Sequence, residues 1–185
     1  MLELDPFQRA SLYASILTYF EKLANMEKTP TEINAFFESL GVEIPDFSDE
    51  DLEQAAEYLK MFRASLVRLD VPPLARANLP FHIKSFIESH GYTAAEPSDG
   101  ILSMTAFAAR LAIDAYAAHL TDGEQALRLE RTIHRFIKTH LIPALANARP
   151  QNQKLHQSIQ EIVKMLTVDS SMLLKKLTRK QRAYR

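Results

Sequence analysis

Apolar residues recur at helical spacing along most of this chain. Asp5-Pro6 supplies an N-cap and a proline suited to a first helical position, and Leu12, Ile16, Phe20 and Leu23 follow at helical intervals. Thr29-Pro30-Thr31-Glu32 predicts a capping box with proline at N1; Ile33, Phe36, Phe37 and Leu40 continue the helix and Gly41 stops it. Ser48-Asp49-Glu50-Asp51 opens a third helix with its acids in the first turn, where the helix dipole favours them. Its apolar face is predicted to run through Leu52, Ala55, Leu59, Phe62, Leu66 and Leu69.

A looser stretch follows, about 70–99, with Pro72, Pro73, Pro80 and Pro97 and one short helix predicted from about Leu79 to Ser89. Ile101–Leu120 is a long apolar helix, broken at Thr121-Asp122-Gly123. The next helix carries Leu127, Ile133, Phe136, Leu141 and Leu145. Beyond Arg149-Pro150, Leu155, Ile159, Ile162 and Leu166 mark another, and a last helix is predicted around Ser170–Gln181. No window alternates with the period of two that a strand requires. The predicted fold is therefore all-α: one helical-bundle domain of six to eight helices in two halves, about 5–69 and 99–174. A proline-containing linker of about 70–99 joins them, and a basic tail, 175–185, ends the chain.

Composition agrees with a packed domain. Of the 185 residues 46% are hydrophobic, and a domain of this size removes roughly 70% of its unfolded surface from water. The absence of cysteine excludes disulfides, thiol catalysis and Cys-ligated zinc, and is compatible with a reducing cytoplasm. Met1-Leu-Glu-Leu-Asp5-Pro6 has no basic region before an apolar core and does not read as a signal peptide. Ile101–Leu120 is long enough to span a bilayer, but Arg110 and Asp114 lie inside it, and each charge at the centre of a span costs about 2.5–3.5 kcal/mol. Four residues apart, they are placed to pair on one face of a core helix, and no membrane insertion is expected.

Charge is unevenly distributed. Lys175–Arg185 holds six basic residues and no acid, so the rest of the chain keeps 16 basic against 23 acidic residues, a formal −7. An acidic body disfavours nucleic acid and favours a cationic partner. The tail has one aromatic, Tyr184, and a short terminal charge run is ordinarily a solvated, fraying end.

No enzyme is legible. His134 and His140 are six apart, on roughly opposite helix faces, and His82, His90, His119 and His156 are scattered, so no metal site is expected. The acids of Asp46–Glu57 suit capping and solvation better than catalysis, and no Gly-rich phosphate loop is present. No catalytic residue and no cofactor are assigned.

Four stretches, in order, carry a resemblance. Arg9-Ala-Ser-Leu12-Tyr13 resembles R-x-x-L-Y in the first helix of the TorD/DmsD/NarJ-type redox-enzyme maturation chaperones, and Glu57-Tyr58-Leu-Lys-Met-Phe62 resembles their E-Y-x-x-L-F. Glu96-Pro97-Ser98-Asp99 is similar to the start of their E-P-x-D-H-x-x-x-E signature, and Phe136-Ile-Lys-Thr-His140-Leu141-Ile-Pro143 to F-x-x-x-H-L-x-P. Gly100 stands where the signature has histidine, Met104 where it has its second glutamate, and Ala144 where a tryptophan is common, the pattern of a divergent member.

The resemblance implies a cytoplasmic chaperone, not an enzyme. It would bind the leader peptide or N-terminal segment of a molybdenum-cofactor redox enzyme during maturation, before twin-arginine export. Glu96, Pro97, Asp99, Tyr58 and His140 are the peptide-binding candidates it implies. A leader of this kind joins a basic pair to an apolar run, so its receptor needs an acidic rim beside an apolar groove, and the linker between the halves is where that groove is expected. Without a client, Glu96–Asp99 reads as a proline turn in which Ser98 or Asp99 caps the next helix, and His140–Pro143 as a helix interior with a kink. The alternative function is a helical nucleic-acid-binding or regulatory protein that uses the basic tail. Exchange of halves between two chains is a low-cost route to a homodimer.

Overall fold

The computed structural model describes residues 4–183, with side chains as far as Lys180. Met1–Glu3, Tyr184 and Arg185 lie outside the described residues. All regular structure among the described residues is helical: α1 (Pro6–Ala24), α2 (Thr31–Ser39), α3 (Asp49–Met61), α4 (Ala64–Val67), α5 (Pro73–Ala77), α6 (Leu79–Ser89), α7 (Ile101–His119), α8 (Gly123–Phe136), a π-helical turn (Ile137–Leu141), α9 (Ile142–Ala146) and α10 (Gln153–Ala183). Of these, α1, α2, α3, α6, α7, α8 and α10 are nine residues or longer, in keeping with an all-α bundle of six to eight main helices.

The starts and stops follow local chemistry. Asp5 and Gln8 form a reciprocal capping box at α1, the Asp5 carboxylate accepting from Gln8 N at 2.8 Å and Gln8 Oε1 from Asp5 N at 3.1 Å. Ser48 and Asp51 do the same at α3. Gly41, at φ +77°, ends α2 in the left-handed conformation that suits glycine, its N–H donating to Glu38 O and that of Val42 to Phe37 O. Asp122 caps α8 through Glu124 N and Gln125 N.

Three expectations need correction. The capping box predicted at Thr29 does not form: Pro30, extended at ψ 143°, is itself the N-cap, and α2 begins at Thr31 without a side-chain cap. The third helix does not continue through Leu66 and Leu69. It ends at Met61, Phe62 turns extended (ψ 130°), and α4 starts afresh, leaving Leu66 and Leu69 about 70% exposed (68% and 74%). The two predicted C-terminal helices are one helix of 31 residues, since Val168-Asp169-Ser170-Ser171 contains no breaker and Asp169 is held from within the bundle. The tail is correspondingly part of a packed helix as far as Lys180, with Leu173 and Leu177 buried and Lys176 Nζ donating to Glu130 at 2.6 Å.

The core is organised around α7, which lies between α1 and α8. Its buried face is rich in alanine (Ala108, Ala109, Ala112 and Ala115), which lets neighbouring helices approach closely. Against it α1 buries Leu12, Tyr13, Ile16, Tyr19, Phe20 and Leu23. By length and apolarity α7 would suffice to cross a membrane, but it is the central helix of the bundle. Its Arg110 and Asp114 pair on one face at 3.0 Å, and Tyr92 OH also donates to Asp114. Through α1 on α7 the N- and C-terminal halves share one core, and α6 lies inside the stretch expected to link them.

Candidate functional site

The sequence-predicted residues fall into three places. At the start of α7, Asp99 is 2% exposed and points away from solvent. Its Oδ2 accepts from Ser65 N at 3.0 Å and Ser65 Oγ at 2.6 Å, and its backbone carbonyl accepts from Ala64 N at 2.9 Å. Asp99 is therefore an N-terminal cap, but for α4, 34 residues upstream, and not for the helix it precedes. Ser98 Oγ donates to Pro80 O at 2.8 Å, fastening the same loop to α6. The cap of α7 is Gly100, which makes no side-chain bond. A Cβ at Gly100 would come within 3.1 Å of Pro97 O and 3.2 Å of Pro97 Cγ, so a histidine here would need the loop to give by a few tenths of an ångström. Met104 is fully buried, where a glutamate would be desolvated without a partner. Glu96 lies on the outside, its carboxylate accepting from Lys84 Nζ at 2.9 Å, and that bond lowers its pKa.

His140 is the second place. It is buried in the π-helical turn, with Phe86 and Phe136 rings 5.7 and 5.5 Å from its own and no partner for Nδ1. Burial, with Arg68 and His82 adding repulsion, pushes its pKa down to about 4, so it is a neutral imidazole at pH 7. The wide turn has a local cause. Pro143 has no N–H to offer Thr139 O, four residues back, and Arg68 Nη1 reaches that carbonyl at 3.5 Å instead. Where a kink was expected the helix widens into a π turn, and the histidine itself faces the interior.

Tyr58 lines an open groove. This groove, about 440 Å³, runs between α3 and the 149–152 loop, with Glu57, Tyr58, Met61 and Pro150 in its walls. Tyr58 OH accepts from Arg149 N at 3.0 Å, fixing the loop. Arg149 also lines the groove, its Nη1 donating to the carbonyls of Ala146 and Ala148 at the end of α9. Along α3, Glu50, Glu53, Glu57 and Met61 follow at intervals of three and four, all exposed, so an acidic stripe runs into an apolar side chain that is 67% exposed. Sequence reading missed Met61, although an apolar residue off the Leu52–Ala55–Leu59 face was the available signal.

A buried ionic cluster explains the first-helix motif. Arg9 Nε donates to Asp169 Oδ1 at 2.9 Å and Oδ2 at 3.1 Å, and Tyr13 OH donates to Oδ2 at 3.0 Å. Glu130 Oε1 is 3.6 Å from Arg9 Nη1, 2.9 Å from His119 Nε2 and 2.6 Å from Lys176 Nζ. Burial raises the Asp169 pKa, with Arg9 and Tyr13 opposing it. For Glu130 burial also pushes upward, but Lys176, His119 and Arg9 together hold its carboxyl below the usual range. These groups join α1, α7, α8 and α10 and act as a structural clamp.

Fold and site together define an all-helical bundle in which Tyr58 lines a groove at α3, not at the linker where a groove was expected, and Glu96 is exposed and paired with Lys84. No known protein family matches this chain, and no curated protein matches it.

Proposed function

We propose that this chain is a non-enzymatic chaperone that binds the leader or N-terminal segment of a molybdenum-cofactor redox enzyme in the cytoplasm, before twin-arginine export. The ordered resemblance of the four motifs supports the client class. The observation that carries the binding mode is the α3 groove. A basic pair laid along Glu50, Glu53 and Glu57 would meet carboxylates over about 10 Å of helix, and the apolar run after it would reach Tyr58, Met61 and the exposed Leu66 and Leu69. Asp99, Pro97 and His140 serve this reading by holding α4, the loop and the π turn in place, and Glu96 by its surface charge.

The test is affinity capture from the native cytoplasm with mass spectrometry. It is paired with titration of a synthetic peptide bearing two arginines followed by ten apolar residues. Wild type is expected to recover a molybdoenzyme precursor and bind the peptide, and Glu57→Lys/Met61→Asp to lose both while Glu96→Lys weakens them less. Wild type that recovers no redox-enzyme precursor and ignores the peptide would overturn the proposal. Loss in Glu96→Lys alone would move the site to the α6–α7 loop.

A further inference from the structure

The sum of charge along the chain conceals where the cations gather. A cleft of about 470 Å³ between α8 and the end of α10 is lined by Gly123, Glu124, Leu127, Arg128, Arg131 and Lys180. Arg128 Nη2 bonds Glu124 at 2.6 Å, whereas Arg131 and Lys180 have no ion-pair partner among the described residues. Lys175 and Arg179, both exposed, add cations on other faces of the same end of α10, and the chain continues with Arg182 and Arg185. Residues 170–185 contain no acid.

The acidic face is far from this cleft. Asp51 at the start of α3 pairs with Lys154 in the first turn of α10, whereas Lys180 lies near the other end of the same helix, roughly 39 Å away at ~1.5 Å per residue. That is several times the ~8–10 Å over which charges are felt at ordinary ionic strength. The acidic stripe of α3 is therefore screened from the cleft, where Glu124, paired with Arg128, is the acid in the lining and Asp122 caps α8 beside it.

We infer that the α8–α10 cleft binds the phosphodiester backbone of single-stranded nucleic acid through Arg128, Arg131 and Lys180. Arg131 and Lys180, unpaired among the described residues, bring two cations from two helices to one recess, with the Glu124-paired Arg128 beside them, a charge arrangement that suits a phosphodiester backbone. A recess between two helices admits a flexible single strand more readily than a rigid duplex, and the apolar wall, Leu127 alone, gives nothing to read bases. Binding is accordingly sequence-independent and salt-dependent. This inference does not rest on the chaperone reading, and its site is remote from the α3 groove.

Fluorescence anisotropy of the full chain with a labelled 20-nucleotide single-stranded RNA of mixed sequence tests it, with anionic phosphatidylserine vesicles as the second arm. Neutralising about three phosphates predicts a log–log salt slope near −2, and so about a 20-fold loss of affinity between 50 and 200 mM salt. Arg131→Glu/Lys180→Glu should cost at least tenfold at 50 mM and flatten the slope by more than one. Lys28→Glu/Lys60→Glu, the same charge change elsewhere on the surface, should weaken binding less than threefold. Arg131→Gln/Lys180→Gln should reproduce the loss with circular dichroism unchanged. Absence of binding at 50 mM salt, equal loss in the two reversed pairs, or binding to vesicles and not RNA would overturn the inference.

Discussion

Removal of the Asp169 carboxylate tests the packing of the bundle most directly. In Asp169→Ala the Arg9 guanidinium, whose side chain is 3% exposed, loses both short bonds from Nε and keeps only Leu4 O at 3.2 Å and Glu130 at 3.6 Å. Tyr13 OH, buried beside it, loses its acceptor. Leaving a buried charge unpaired costs about 3–5 kcal/mol, and an orphaned hydroxyl adds about 1–3 kcal/mol. The partial claim of Glu130 on Arg9 keeps the total near the lower end, about 3–5 kcal/mol, against a stability of about 5–15 kcal/mol for a typical domain. The melting temperature should fall by roughly 6–20 °C. Urea unfolding followed by circular dichroism at pH 7 should show a lower midpoint with an unchanged m-value. Arg9→Met/Tyr13→Phe/Asp169→Leu, which removes Asp169 together with the two side chains bonded to it, fills the space with apolar atoms and leaves Glu130 its bonds to Lys176 and His119, should recover most of the loss. A cost below about 1 kcal/mol for Asp169→Ala, or a triple variant less stable than the single one, would refute the clamp.

Three further outcomes are expected. His140, with a folded pKa of about 4 against about 6.5 unfolded, binds fewer protons folded than unfolded between those values; its contribution is present above pH 6.5 and lost as pH falls through 4, on the order of 2–3 kcal/mol. His140→Leu should flatten the urea midpoint over that window, and an unchanged slope would contradict the burial argument. Asp99→Ala should cost about 1–3 kcal/mol by orphaning Ser65 N, and faster amide exchange at Ala64 and Ser65 would show that α4 had lost its cap. Gly123→Ala, with open space at Cβ and a place in the first turn of α8, should stabilise by about 0.5–1 kcal/mol, and Gly100→Ala, whose Cβ presses on Pro97 O at 3.1 Å, should be the less stable of the two; thermal melts that rank them the other way would sink the steric reading.

The segmentation into helices was legible because its causes are short-range. A capping box such as Asp5 with Gln8, a glycine stop such as Gly41 and a 3.6-residue apolar period each involve partners within about four residues. The short helix at 79–89 and the long one from Ile101 could be read that way. The candidate site was legible only in part. Tyr58 reaches a groove because the 149–152 loop folds over it, a contact across 91 residues that no spacing rule contains. Asp99 looked available from its place in a turn, yet its carboxylate is spent on α4.

The sequence by itself determined the helical class, the bounds of most long helices, the core face of α1 and that of α3 as far as Leu59, and the polarity of a chain with an acidic body and a basic end. Tertiary structure decided which charges are buried, which are paired and which face solvent. It joined Arg9 to Asp169 across 160 residues, ended α3 at Met61 with Asp99 capping the helix after it, and turned Arg131 and Lys180 into one cleft. The reason is range. Helix formation is settled among near neighbours, whereas a charge finds its partner, or is left without one, only when helices distant in the chain pack against each other.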